Sequence, residues 1–303
     1  MNDWTRRDVL AMLSAAAWTS LVPGRSSKVT ATVPPPGGPG FRVRTITAGT
    51  NLKSLAETRT VEAALATLKR AKQAVTDAGY EVQTVRIATQ PLLEDATPRT
   101  RGAALSALQA LDRAVVAESA LLSIGPVLAP DGDDPEFGAW AAELARTTQS
   151  ISFTVRVASP ERGTSPRGVT AAGDAMAAIA RHTPAGIGNF RFAAAANVPA
   201  GTPFFPVAYH SGSDAMAIGL ESPPLLTAGL TEANTLGEAK QHLTELLESR
   251  LGPLERLVRD IARRERRSYT GIDVSPAPGK DASIGATIEA LTGVPFGAPS
   301  TLA

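Results

Sequence analysis

Hydrophobic and polar positions alternate in two rhythms along the chain. Residues 41–47, FRVRTIT, place Phe41, Val43 and Thr45 against Arg42, Arg44 and Ile46, a period of two that predicts a strand. Ser54 and Glu57 then form a capping-box pattern, and Val61, Leu65, Leu68 and Val75 recur on one helical face until Gly79 stops it. The sequence repeats this pairing. Strands are predicted at 80–89, 121–127, 151–157, 190–197, 215–220 and 269–275. Helices are expected from the Thr97-Pro98 cap on through Leu105, Leu108, Leu111 and Val115 as one element, then after Asp134-Pro135, through Met176 and Ile179, and after the Thr235–Glu238 capping box. A final helix is capped by Ser283, and Pro253 is expected to kink the long helix before it or split it in two. Strands alternating with helices predict an α/β fold, with a mixed sheet or barrel under helices.

The first 27 residues break the pattern. Arg6-Arg7 precede an apolar run from Val9 to Val22, which has the length of a signal peptide rather than of a membrane span. TRRDVL resembles a twin-arginine export signal, so the export machinery is an expected partner and the expected location is the periplasm or cell envelope. VPPPGGPG (33–40) closes a linker over 28–40, and residues 41–303 are expected to form one α/β domain.

Composition narrows the chemistry. The chain has 303 residues and no cysteine, which excludes disulfides, thiolate metal sites and thiol nucleophiles. The formal charge of +1 gives no reason to expect a nucleic-acid partner. The arginines between Arg256 and Arg267 interleave with Glu255, Asp260 and Glu265 at a helix C-terminus, which reads as a solvated face. PAPGKDAS (276–283) precedes a helix, a natural anion position, but lacks P-loop spacing.

The chain has three histidines. His182 and His242 fall in helical patterns. His210 ends PFFPVAYH and is followed by Ser211, Gly212, Ser213 and Asp214. It is the candidate general acid/base or metal ligand, although neighbours on an extended chain rarely meet the geometry of a catalytic triad. A histidine bonded to backbone in a loop is the plain alternative. For a divalent metal, Asp214, Glu221 and Asp273 are the candidate companions of His210. The run Ala193–Ala196 in a predicted strand implies close approach by a helix or a ligand, and Asn197 either turns the chain or binds.

Several stretches resemble a known family, domain of unknown function 711: FRVRTITAGTNL (41–52), VQTVRIATQPL (82–92), NFRFAAAANVPAGTPFFPVAYH (189–210), GLE (219–221), YTGIDVSPAP (269–278) and FGAPSTLA (296–303). The resemblance implies a ten-stranded α/β barrel, complete or partial, like that of the glycyl-radical enzymes pyruvate formate-lyase and ribonucleotide reductase, with helices outside. It does not bring their radical chemistry, which needs a cysteine. It also implies a longer C-terminus, so this chain is expected to be a shortened member. Polar residues inside these motifs or at strand ends form the expected site: Arg44, Asn51, Arg86, Gln90 and Asn197 for a small anionic ligand, His210 for acid/base work, and Glu221 and Asp273 for a metal. The expected function is a small-molecule-binding enzyme. The alternative is a non-catalytic binding or structural protein. Nothing in the sequence indicates an oligomeric state.

Overall fold

The computed structural model describes residues 40–132, 134–231, 233, 235–276 and 283–299. The expected export signal, most of the linker and most of the 276–283 loop lie outside them. In order, the elements are β1 (Arg42–Thr50), α1 (Thr58–Asp77), β2 (Val82–Thr89), α2 (Pro98–Ala103), α3 (Leu105–Ala117), β3 (Ala120–Pro126), α4 (Phe137–Thr147), β4 (Ile151–Ser159), β5 (Gly163–Thr164), α5 (Pro166–His182), a 3₁₀ turn (Pro184–Arg191), β6 (Phe192–Ala196), β7 (Ala215–Glu221), α6 (Pro223–Thr231), α7 (Leu236–Arg264), β8 (Ser268–Asp273) and α8 (Ile284–Thr292).

The chain falls into two units. The larger, Arg44–Gly219 with Leu257–Asp273, carries the body of the sheet. Eight strands run β5-β4-β3-β2-β1-β7-β8, with β6 also paired to β4. Strands β2, β3, β4 and β6 are mutually parallel. β1 advances with β2, since Thr84 bonds the Arg44 carbonyl and Gln90 brackets Leu52. It runs against β7, because Thr45 lies beside Gly219 while Thr50 bonds Asp214. The sheet is therefore mixed and open; it does not close into a ten-stranded barrel among the described residues.

The two faces of the sheet differ, and topology explains why. From β1 to β6 the chain steps steadily in one direction. Right-handed crossovers then put every connecting helix on the same face. That face is apolar: Val85, Ile87, Leu122, Ile124, Ile151, Phe153 and Val155 are buried. They meet Leu65, Leu68 and Val75 of α1, Leu108, Leu111 and Val115 of α3, and Leu144 of α4, all buried. Each such side chain contributes about 1.5–3 kcal/mol on burial. Rings link the layers, with Trp140 of α4 5.9 Å from Phe153 and Phe153 5.1 Å from Phe192.

The opposite face is small and polar. Register places Ala88, Ser123 and Ser152 in one row across it. Alternation adds Thr45, Thr47 and Gly49 on β1, Thr84 and Arg86 on β2, and Thr154 and Arg156 on β4. Among the described residues no crossover helix covers this face. The segment Val198–Ser213 lies on part of it instead.

Local details differ from the sequence expectations. The first helix starts at Thr58, and no side chain caps it; the Glu57 carboxylate instead accepts from Lys53 N–H at 3.0 Å and from the Thr60 hydroxyl at 2.8 Å. Phe190 and Arg191 belong to the end of a 3₁₀ turn, not to the strand, which runs from Phe192 to Ala196. Within the alanine run only Ala195 is buried, while Ala194 and Ala196 are exposed on an edge strand, so helix packing does not explain that run. Helix α7 continues through Pro253 without splitting, since a proline removes one hydrogen bond from a 29-residue helix.

In the smaller unit, Thr227 of α6 bonds Thr287 of α8 at 2.8 Å, and Gly229 admits Leu243 and Leu246 of α7. The Arg42–Glu221 ion pair, 3.1 Å, also belongs to it.

Candidate functional site

The parallel strands β1 and β2 end where the antiparallel partners β7 and β8 begin. In open α/β sheets, ligand sites form beyond the carboxyl ends of strands, where the topology reverses. A cleft of about 340 Å³ lies there. Thr47, Gly49 and Ala88 form its floor, Gly201–Pro203 and Tyr209–Ser213 its loop walls, and Ser268 and Thr270 its far side.

The loop between β6 and β7 is seated on the sheet residue by residue. Asn197 turns the chain at φ 55°, and its N–H donates to the Ala158 carbonyl at 3.0 Å. The Ser123 hydroxyl donates to the Ala208 carbonyl at 2.6 Å. The Tyr209 hydroxyl donates to the Val198 carbonyl at 3.0 Å, and Gly201 N–H to the Tyr209 carbonyl at 2.8 Å. His210 N–H donates to the Thr89 carbonyl at 2.9 Å. Two glycines make the close approach feasible. A Cβ at Gly125 would stand 2.5 Å from the Tyr209 Cβ, and one at Gly49 only 2.3 Å from His210 Nδ1.

His210 is the chemical centre of the cleft. It is 4% exposed, and its Nε2 is buried without a hydrogen-bond partner among the described residues. Burial lowers its pKa below the ordinary 6.5, while the Gly212 and Ser213 backbone and the Asp214 carboxylate pull the other way. The ring is therefore neutral at neutral pH, with a basic nitrogen available. The Thr47 hydroxyl on the cleft floor is also buried and has no partner among the described residues. Asp214 is not aimed at His210 as a triad acid. It is held by Thr50 at 2.9 Å and by Arg267 at 3.3 Å.

Arg267 is the residue that sequence reasoning missed. It ends the arginine run read as a solvated face, yet its side chain is 5% exposed. It donates to the Gly49 carbonyl at 2.9 Å and so ties the start of β8 to the end of β1. Its neighbours fit the solvated reading: Arg263 pairs with Asp260 on the surface. The interior glycines were a usable signal, since glycine within a strand often marks close approach.

The structure gathers only some of the expected site residues. Asn51 binds the Gly212 carbonyl at 2.6 Å and so shapes the cleft rim. Gln90 is committed to Leu52, accepting its N–H at 2.9 Å and donating to its carbonyl at 2.6 Å. Asn197 serves the turn. Arg86 stands on the polar face under the Phe205 ring, 4.9 Å from its centroid. Arg44 is half-buried near the start of β1. Glu221 pairs with Arg42 in the smaller unit, and Asp273 ends β8 in the larger. Among the described residues no three His, Asp or Glu side chains converge as a metal site would require. Ser283 caps α8 by accepting from Ala286 N–H at 3.1 Å.

These features define an α/β protein with an open mixed sheet, helices on one face, and a polar cleft at the strand ends. The family described as Uncharacterised ACR (DUF711) matches residues 39–303, and the chain belongs to it. A UPF0210 protein from Pyrobaculum islandicum is 32% identical over 171 residues, which cover 53% of this chain and 36% of that relative. The match thus spans little more than a third of the relative's length.

Proposed function

We propose that the cleft binds a small polar molecule and that His210 accepts a hydrogen bond or a proton from it through Nε2. One observation carries the reading: the buried His210 Nε2 and the buried Thr47 hydroxyl, both without a partner among the described residues, line the same cleft at the strand ends. Buried polar atoms are as a rule satisfied, and a polar ligand would satisfy both. In the enzyme form of this reading, His210 is a general base toward the bound molecule. The non-catalytic form is favoured by Asp214 being engaged with Thr50 and Arg267, which leaves His210 without an orienting acid among the described residues.

A thermal-shift screen of small polar compounds on the protein and on His210→Gln tests the site. At least one compound raises the melting temperature of the wild type and loses most of that effect in the variant. An equal response in both proteins removes His210 from the site. The proposed setting is outside the cytoplasm, supported by Arg6-Arg7 and the apolar run that follows. Export unaffected by replacing both arginines with lysine would refute that route.

A further inference from the structure

This inference rests on the reading of the cleft above and gives its ligand a charge. Arg86 precedes the cleft residue Ala88 by two positions, so it stands on the same face, roughly 7 Å along β2. Phe205, two residues after the cleft residue Pro203, covers its guanidinium. That contact uses the cation's charge but none of its N–H donors. The Nε of Arg86 is buried without an acceptor, and no carboxylate pairs with its guanidinium among the described residues.

The acids that reach this face are engaged elsewhere. Asp214 is held by Arg267 and Thr50. Glu94 is paired with Arg156 at 3.2 Å. Burial, with the nearby positive Arg44, pushes Arg86 down to about 10, so it remains a cation at every working pH. A cation taken out of water is costly unless an anion compensates it. The buried hydroxyls of Thr45, Thr47 and Thr154 on the same face are likewise without partners among the described residues, and they are donors of the kind an oxyanion takes up.

We propose that Arg86 holds an anionic group, a carboxylate or a phosphate, of the molecule that occupies the cleft. Arginine suits the task because its fork of donors meets two oxygens of such a group at once. The ligand then lies along the polar face, its anion at Arg86 and its reactive or hydrogen-bonding end at His210.

The test uses inorganic phosphate and acetate as probes, with chloride at matched ionic strength as the reference. Melting temperature is followed in the wild type, Arg86→Gln and Arg86→Lys, and the His210 ring is followed by NMR. At least one probe stabilises the wild type beyond chloride and shifts the His210 resonance. Arg86→Gln weakens that binding about 10- to 100-fold, and Arg86→Lys retains part of it. Without any probe, Arg86→Gln is at least as stable as the wild type, because it removes an uncompensated cation. Failure of both probes to stabilise the wild type beyond chloride overturns the proposal. So does an Arg86→Gln variant that responds as the wild type does, or one that is destabilised to the same extent with and without probe. Stabilisation lost in Arg86→Gln without any change at His210 keeps the anion site but detaches it from the cleft. A shift at His210 that persists in Arg86→Gln keeps the cleft and overturns the role of Arg86.

Discussion

Replacing Gly49 with alanine puts a methyl group where the His210 ring sits. The added Cβ would lie 2.3 Å from Nδ1 and 2.8 Å from Cε1 and Cγ. Ordinary contacts between such atoms fall near 3.5 Å, so about 1 Å of movement is required. The ring cannot retreat freely, because His210 N–H is bonded to the Thr89 carbonyl and Ser123 holds the Ala208 carbonyl two residues earlier. β1 is also constrained, since Arg267 grips the Gly49 carbonyl. Overpacking of this kind costs about 1–3 kcal/mol, equivalent to a melting-temperature loss of roughly 2–10 °C in a protein of this size. The variant is also expected to expose the imidazole, which relieves the burial that depresses its pKa and moves its titration back toward 6.5. Thermal unfolding and NMR titration of His210 read the two effects separately. A Gly49→Ala protein with wild-type stability and an unchanged His210 titration would show that the sheet does not hold the ring, and the account of the cleft would fall with it.

Two further outcomes follow from buried charge. Arg101 is 1% exposed, pairs with Asp134, and donates to the Val127 and Ala96 carbonyls at 2.9 Å each. Arg101→Met strands Asp134 and both carbonyls, and is expected to cost about 3–5 kcal/mol in urea unfolding; a loss under about 1 kcal/mol would show the network to be dispensable. For His210, the folded pKa lies below the unfolded one, so the unfolded chain binds more protons as pH falls through 6.5. The stability contribution is full above that pH and is lost between 6.5 and the lower folded value, a decline that His210→Gln should lack; identical pH profiles for the two proteins would contradict the assigned burial.

Much of the fold is legible in the sequence because its determinants are local. The alternation in FRVRTIT, the Thr97-Pro98 and Ser283 caps, and the helical spacing of Leu105, Leu108 and Leu111 are each realised nearly where the pattern places them. The capping box at Ser54 misleads because the helix starts later, at Thr58, with no side chain capping it, while the Glu57 carboxylate bonds the preceding loop at Lys53 and the Thr60 hydroxyl. Arg267 misleads for a different reason. Composition describes a run of arginines as a whole, whereas only the chain's turn into β8 decides which one is drawn inside.

The sequence by itself determined the alternation of elements, the lack of thiol chemistry, and His210 as the chemical lead. Only the tertiary structure decided what His210 faces. Its partners, Gly49 and Thr89, lie more than a hundred residues earlier in the chain, and no local pattern couples them. Strand order and crossover handedness settle which sheet face goes bare of helices. Thr45, Thr47 and Arg86 read as the polar half of ordinary strands until that face is known. Their meaning as a site comes from long-range packing, which gathers them on one sheet face with hydroxyls and a guanidinium nitrogen that no described residue satisfies.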